Sequence, residues 1–252
     1  MIFLKSKEEI EILKESGKIL SSILKALKSK ALIGVNLLEL EDLAQKMSKE
    51  FDAKPSFFGY QPDGAEKPYP AALCLSLNEV VVHGVPKNYR LKSGDVLKID
   101  MGVIYEGMYT DSAVTVGIGE LSSVAKKLMN STKKALDDAI KIIKIGRHIG
   151  DIGYVVEKRA KKDGFKVIKN LTGHGVGYAV HEEPTILNFG RKNTGPEIRD
   201  GMVIAVEPMF SVSSEQIVQN RDESYSSADG SLTAQFEHTI AVTKNKIIVL
   251  TE

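Results

Sequence analysis

Apolar residues recur at helical spacing in four stretches, about 7–30, 37–51, 122–144 and 149–163, and predict four helices. Between and after them the pattern changes to β-rich runs: AALCLSLNEVVVHGV, DVLKIDMGVI, YTDSAVTVGI, MVIAVEPMFSV, SLTAQFEHTIAVT and KIIVL, punctuated by Gly, Pro and Asp turn residues. The order is helix, helix, strands, and then the same again. A shift of 112 lays IGVNLLELEDL (33–43) over IGRHIGDIGYV (145–155), and a shift of 107 lays KSGDVLKIDM (92–101) over RDGMVIAVEP (199–208). Either match alone is weak, because short apolar strands align by chance. Both in one order predict a duplicated α+β fold with a pseudo-twofold axis, its halves about 1–120 and 121–252 within one domain spanning 1–252.

Two of these runs carry aspartates where a core residue is expected. In IDMGVIYEGMYTDSAV, Asp100 and Asp111 flank a predicted hairpin turn around Tyr105-Glu106-Gly107. A two-residue loop at Tyr105-Glu106 sets them directly opposite each other; a loop one residue later makes them diagonal neighbours. In the repeat Asp100 falls on Glu207, and the next strand of each half carries Asp111 and Glu237. Ionised carboxylates so close in a half-buried sheet repel one another and lose hydration, and a divalent cation removes both costs. A single such pair reads as an exposed edge feature; four acids in matched strands argue for a shared site.

Composition narrows the class without naming a chemistry. The chain has 252 residues, 42% hydrophobic and 27% charged, the make-up of a soluble globular protein. Its formal charge of +1 points to neither nucleic acid nor a membrane surface. No apolar run approaches the roughly 20 residues of a membrane-spanning helix, and the opening MIFL-KSKEEIEILKE lacks a signal peptide's apolar stretch. One cysteine, Cys74, excludes an internal disulfide and fits a reducing cytoplasm.

Of five histidines, three lie in suggestive settings. His174 sits between glycines in TGHGVGYAVHEEP, His181 follows seven residues later beside Glu182 and Glu183, and His83 ends the Val-rich strand of NEVVVHGVP. Each alone is a weak signal. His148 begins a helix and His238 alternates away from Glu237, so both read as structural.

Taken together, HGVP (83–86), Asp100, GMYTDSAVTVGIG, GHGVG (173–177), HEEP (181–184), EPM (207–209) and SLTAQFEHT (231–239) make the chain resemble the type I methionine aminopeptidases from its first helix to its last strand. The resemblance implies the pita-bread (creatinase/aminopeptidase) fold, in agreement with the repeat. It also implies two divalent ions, Co, Mn, Fe or Zn: Asp100 chelates the first, Asp111 and Glu237 bridge both, and His174 with Glu207 completes the second. Glu207 would double as the base, His181 would stabilise the oxyanion, and His83 would contact the scissile amide. The implied reaction removes the initiator methionine from a peptide or nascent chain when a small residue follows. The expected protein is a cytoplasmic monomer with transient ribosome contact and no nucleic-acid or membrane partner.

For the methionine pocket the resemblance implies Phe57, Tyr60, Tyr69 and Cys74, side chains suited to gripping a thioether; core packing is an equal reading of Cys74. Three departures bear on specificity. The segment QPDGAEKPYP (61–70) is longer than in common bacterial members. Val180 stands where a phenylalanine is frequent. There is no tryptophan, and in the short loop NRDESYSSADGS (220–231) Tyr225 is the substitute. Three relatives compete. Proline-specific peptidases usually add an N-terminal domain, whereas this chain enters its first helix by about residue 7. Type II methionine aminopeptidases insert helices between the positions of Glu207 and Glu237, an interval too short here. A metal-free creatinase-like enzyme would lack ligands that are all present. From another class, a non-catalytic pita-bread protein that binds ribosome or RNA would be free to lose those ligands and would carry basic extensions.

Overall fold

The computed structural model describes residues 1–61 and 64–252. The first half runs α1 (Lys7–Lys30), α2 (Leu37–Glu50), β1 (Lys54–Pro55), β2 (Cys74–Leu77), β3 (Val80–Val82), β4 (Val96–Tyr105) and β5 (Met108–Gly117). The second runs α3 (Ser123–Ile142), α4 (Ile149–Asp163), β6 (Lys166–Val167), β7 (Thr172–Gly175), β8 (Glu182–Leu187), β9 (Val203–Val206), β10 (Met209–Ser211), β11 (Ile217–Gln219), β12 (Tyr225–Ser227), β13 (Thr233–Gln235), β14 (His238–Val242) and β15 (Ile247–Val249). The four helices fall where the periodicity predicts them. Among the described residues no helix is long and apolar enough to cross a membrane.

The duplication is written into the backbone. Isolated bridges join Asn36 to Arg90 and His148 to Glu197, positions related by the same two shifts that align the sequence. The second helix of each half starts alike: Glu39 accepts the Asn36 N–H and Asp151 accepts the His148 N–H, both at 3.1 Å, satisfying a donor that the first turn leaves open. Before β4 and β9 stand Gly94 and Gly201, both with φ near +90°. Each helix pair lays its apolar stripe on its own sheet. Leu20, Ile23, Leu27, Leu37 and Leu40 pack on Leu75, Leu97, Ile99 and Met101; Leu128, Leu136, Ile149 and Val156 pack on Ile186, Ile204, Phe210 and Ile240. A fully buried side chain of this size contributes about 1.5–3 kcal/mol, so these two clusters hold the halves, while a third, with Ile10, Leu13 and Met108 against Val176, Val203 and Leu250, joins one half to the other.

Strand β4 pairs with β5 over ten residues, from Val96↔Gly117 to Tyr105↔Met108. The loop is Glu106-Gly107, at φ 46° and 79°, the left-handed pair that a tight hairpin turn requires. The loop therefore lies one residue beyond Tyr105-Glu106. Asp111 faces Gly102, Asp100 faces Ala113, and the two aspartates are diagonal neighbours rather than directly opposed. In the second half the predicted long strands are broken. MVIAVEPMFSV divides into β9 and β10 at Glu207-Pro208, where proline offers no ladder N–H, and SLTAQFEHTIAVT divides into β13 and β14 at Phe236-Glu237. Register is kept across the break, with Val206↔His238 before it and Met209↔Gln235 after it. Strand β7, which was not among the predicted runs, enters beside β9 and brings His174 level with Ala205.

Candidate metal centre

The two halves meet where β5 runs beside β13 and β14. The Glu237 N–H donates to the Ala113 carbonyl at 2.9 Å, across the pseudo-axis. On one side the Thr239 hydroxyl accepts from the Asp111 N–H at 2.9 Å and donates to the Asp111 carbonyl at 2.7 Å. On the other the Thr115 hydroxyl accepts from the Gln235 N–H at 3.0 Å and donates to the Gln235 carbonyl at 2.5 Å. Asp111 and Gln235 are thus equivalent positions, as are Thr239 and Thr115. The match of Asp100 to Glu207 holds, but Glu237 is the counterpart of Ala113 and not of Asp111. The cause is the hairpin loop, whose register moves every β5 residue by two relative to a directly opposed pairing.

Five predicted ligands come together at this seam. Oxygens of Asp111 and Glu237 and a ring nitrogen of His174 lie within 4.8 Å of one another. His174 Nε2 is 3.9 Å from Asp111 Oδ2 and 3.6 Å from Glu207 Oε1. Its Nδ1 is 2.9 Å from the Gly175 carbonyl, so that nitrogen carries the ring proton and Nε2 turns a lone pair to the acids. The flanking glycines make this strand possible: a Cβ at Gly173 would meet the Ala205 carbonyl at 2.4 Å, and one at Gly175 the Glu183 carbonyl at 2.3 Å. Gly102, opposite Asp111, plays a similar part. A Cβ there would lie 2.0 Å from Ser56 Oγ and 3.1 Å from the Phe57 ring, so glycine lets the 56–57 segment close over the aspartates.

Asp100, Asp111, Glu207 and Glu237 are all buried. Among the described residues the only basic side chain within 4.0 Å of their oxygens is the His174 imidazole, which reaches Asp111 and Glu207. Burial raises the Asp111 carboxyl from 3.8 to about 7. Burial, reinforced by Asp111, also pushes Asp100, Glu207 and Glu237 well above the ordinary carboxylate range. The same burial, with His181 nearby, lowers His174 to about 3, which keeps it a neutral donor. Three buried oxygens, Oδ1 of Asp100, Oδ1 of Asp111 and Oε1 of Glu237, have no hydrogen-bond partner. Buried acceptors are normally satisfied, and unpaired ones are costly. Four acids and a neutral imidazole with unfilled oxygens fit hard or borderline divalent cations. Cys74 does not join them as a thiolate, because burial and the neighbouring Asp100 push its thiol up and keep it protonated.

The other predicted residues surround this cluster. The His174 and His181 rings meet edge-on at 4.5 Å between centroids, and Tyr60 Oη lies 3.0 Å from His181 Nδ1. His83 and His181 keep edges open to solvent. The crowded walls behind them disfavour the imidazolium, lowering His83 to about 4, with His181 as the second cause, and lowering His181 as well. Phe57, Cys74 and Val180 form a buried apolar group with Tyr60, Tyr69 and Tyr109 packed against it. Tyr69 is fixed by donating to the Leu73 and Gly84 carbonyls at 2.9 and 3.0 Å. A cavity of about 480 Å³ opens beside them, lined by Phe58, Tyr60, Ile104, Tyr109 and Val180. Tyr225 packs its ring on His83 at 5.7 Å. Of the 61–70 segment, Pro62 and Asp63 lie outside the described residues. Sequence reasoning missed Tyr109 and Gln235. The latter donates to Glu207 Oε2 at 2.9 Å and sits two residues before Glu237, where an amide in a buried strand is itself a signal.

The profile of Metallopeptidase family M24 matches residues 11–244. The methionine aminopeptidase of Aquifex aeolicus (strain VF5) is 44% identical over 257 residues, covering 100% of this chain and 99% of that protein. The chain belongs to this metallopeptidase family and, within it, to the methionine aminopeptidases. It is a metal-dependent hydrolase that acts on peptide N-termini. The crystal structure of the methionine aminopeptidase from Thermotoga maritima agrees, with a TM-score of 0.95 at 38% identity and 100% of both chains covered. A prolidase from Pyrococcus furiosus shares the fold alone, at TM-score 0.76 and 22% identity over 99% of this chain and 65% of that one. The pita-bread fold that the resemblance implied, and with which the repeat agreed, is therefore the fold found.

Proposed function

We propose that the whole chain, residues 1–252, acts as one catalytic domain that removes N-terminal methionine from nascent proteins and peptides, preferring a small second residue, with two divalent ions held by Asp100, Asp111, His174, Glu207 and Glu237. The observation that carries this reading is the set of unpaired, buried carboxylate oxygens at the pseudo-axis beside an apolar aromatic pocket. When bound, such a metal pair supplies Lewis acidity, lowering the pKa of water and polarising a carbonyl.

The chain's own groups do the rest. Glu207 takes the proton from the attacking water. Its Oε2 is held by Gln235 and its main-chain carbonyl by Asn188 Nδ2 at 3.0 Å, so Oε1 is the oxygen left to act as base. Tyr60 Oη lies 3.0 Å from His181 Nδ1; with the hydroxyl as donor in the working tautomer, the ring proton is on Nε2, which donates to the oxyanion of the tetrahedral intermediate. His83, held against Tyr225, contacts the scissile amide near the leaving group. Phe57, Tyr60, Tyr69 and Cys74 grip the methionine side chain, with Val180 and Tyr109 completing the wall. Anionic ligand oxygens at the centre attract the substrate's ammonium group, which suits cutting at the first bond. The preference for a small second residue comes from the family resemblance. The enzyme works as a monomer in the cytoplasm, in transient contact with the ribosome.

The deciding assay supplies Mn, Fe or Co in turn and compares Met-Gly-Ser with Ala-Pro peptides. Release of methionine from the first supports the reading. Preferential cleavage of the second would transfer the chain to the proline-specific peptidases, and no cleavage of either with any metal would refute catalysis here.

A further inference from the structure

The glycines of GHGVG are explained by metal-centre packing at 173 and 175, but Gly177 is not. It stands at φ 143°, and a Cβ there would lie 2.3 Å from Lys5 Cε. Lys5 is almost wholly buried, an unusual place for a lysine. Its ammonium pairs with Glu182 in an ion pair whose side chains are 1% and 3% exposed, and it lies 4.7 Å from the centre of the Tyr178 ring. Glu182 uses its other oxygen to accept the Tyr178 and Ala179 N–H groups, closing the 177–182 loop on itself. The segment before α1 adds further ties. Phe3 meets the Tyr178 ring edge-on at 5.8 Å, the Tyr178 hydroxyl donates to Glu9 at 2.8 Å, and the Lys5 N–H donates to the Gly201 carbonyl at 2.7 Å, at the turn into β9. Inside this loop, one residue before Glu182, is His181.

We propose that residues 3–9 form a strap across the His181 loop, and that Lys5, latched to Glu182, is a positioning residue that holds His181 in register with the reaction centre. A buried ion pair adds little net stability, but losing one partner strands a charge and releases what the pair fixed. Here the fixed element is the 177–182 loop, whose Tyr178 and Ala179 N–H groups both donate to the glutamate that Lys5 holds. His181 must reach a developing oxyanion from that loop, and a displacement of about 1 Å at such a group can cost up to roughly 100-fold in rate. Lys5 itself touches neither the acids nor the pocket, so its effect passes through His181.

This inference rests on the oxyanion role given to His181, and the test separates the two. Lys5→Met, Lys5→Arg, His181→Ala and the Lys5→Met/His181→Ala double variant are each loaded with Mn and assayed on Met-Gly-Ser, with metal content and thermal midpoint measured alongside. Lys5→Met is expected to lower kcat by about 10-fold or more while KM and metal stoichiometry stay near those of the parent. Lys5→Arg, which keeps the charge, should restore most of the kcat. In the His181→Ala background Lys5→Met should cost nothing further, because the group it positions is gone. Amide hydrogen exchange at Ala179 should quicken in Lys5→Met. A Lys5→Met enzyme with parental kcat while His181→Ala is impaired would overturn the strap alone, and so would an equal loss in both backgrounds. Parental kcat in His181→Ala would overturn the His181 role and the strap with it. Should Lys5→Met not fold, Lys5→Gln, which keeps a hydrogen bond to Glu182 without the charge, gives the same comparison.

Discussion

The two hairpins that meet at the centre share a backbone plan but differ in continuity. Strands β4 and β5 run unbroken for ten residues each, whereas their counterparts split at Glu207-Pro208 and Phe236-Glu237. In the unbroken hairpin the acids stand diagonally, Asp100 and Asp111. In the broken one the continued register sets Glu207 against Glu237, with the amide of Gln235 where the first half has Asp111. The break removes ladder pairing at the position where longer, more mobile acid side chains are placed. Duplication thus supplied a common frame, and divergence at a few positions produced an asymmetric set: two aspartates, two glutamates, and one amide that holds a glutamate. A perfectly symmetric site would offer no distinct base.

That asymmetry makes predictions of graded size. The largest concerns Glu207, which has no functional equivalent in the other half: Glu207→Gln should keep the fold by circular dichroism yet lose on the order of 1,000-fold or more in kcat. Activity within tenfold of the parent would remove Glu207 as the base.

Next comes pH. Folded Asp111 holds its proton to about pH 7 instead of 3.8, so the folded state binds protons more tightly than the unfolded chain. Stability from that proton is full below about pH 4 and lost as pH rises through 7. Lys98, buried and lowered to about 7, and His174, lowered to about 3, act in the opposite sense. Asp100, Glu207 and Glu237 are raised in the same sense as Asp111 and partly by it, so comparing metal-free protein with metal-free Asp111→Asn reads Asp111 together with its effect on these three acids. From pH 4 to 8 the parent's Tm should fall relative to the variant's by roughly 5–10 °C, and a divalent cation should reverse the trend. A relative rise with pH, in the absence of metal, would contradict the buried, unpaired state of Asp111.

Smaller effects test the equivalence itself. Gln235→Leu leaves Glu207 Oε2 without its donor and is expected to reduce kcat by about 10-fold to 100-fold with the metal content intact. Thr115→Val and Thr239→Val remove equivalent hydroxyls that each serve a backbone N–H and carbonyl, so each should cost about 1–3 kcal/mol of stability. Only Thr239→Val should also weaken metal binding, because it supports Asp111 while Thr115 supports Gln235. Equal metal affinity in the two valine variants would undo the distinction between the halves.

Much of this was legible in the chain. The helices were, because four amphipathic stretches bury one face each, and so was the repeat, because the two Ile-Gly-led second helices and the two Gly-led strands keep their spacing. The four acids were legible because charge in an apolar strand demands a reason, and the imidazole because glycines flank it. The hairpin register was open by one residue until the left-handed pair Glu106-Gly107 decided it. The equivalence of Asp111 with Gln235 followed from that register and was hidden by it, since the eye matches acid to acid. Lys5 was illegible for a different reason. Its partner Glu182 is 177 positions away, and no local pattern announces a long-range pair.

We propose that Asp111 sits at a two-ion site at the seam of the halves. Titration of metal-free protein with Mn or Co under anaerobic conditions, followed calorimetrically for the parent and Asp111→Asn, tests it most directly. Two ions are expected per parent chain and at most one, with turnover of Met-Gly-Ser abolished, in the variant. Unchanged stoichiometry and affinity in Asp111→Asn would contradict it.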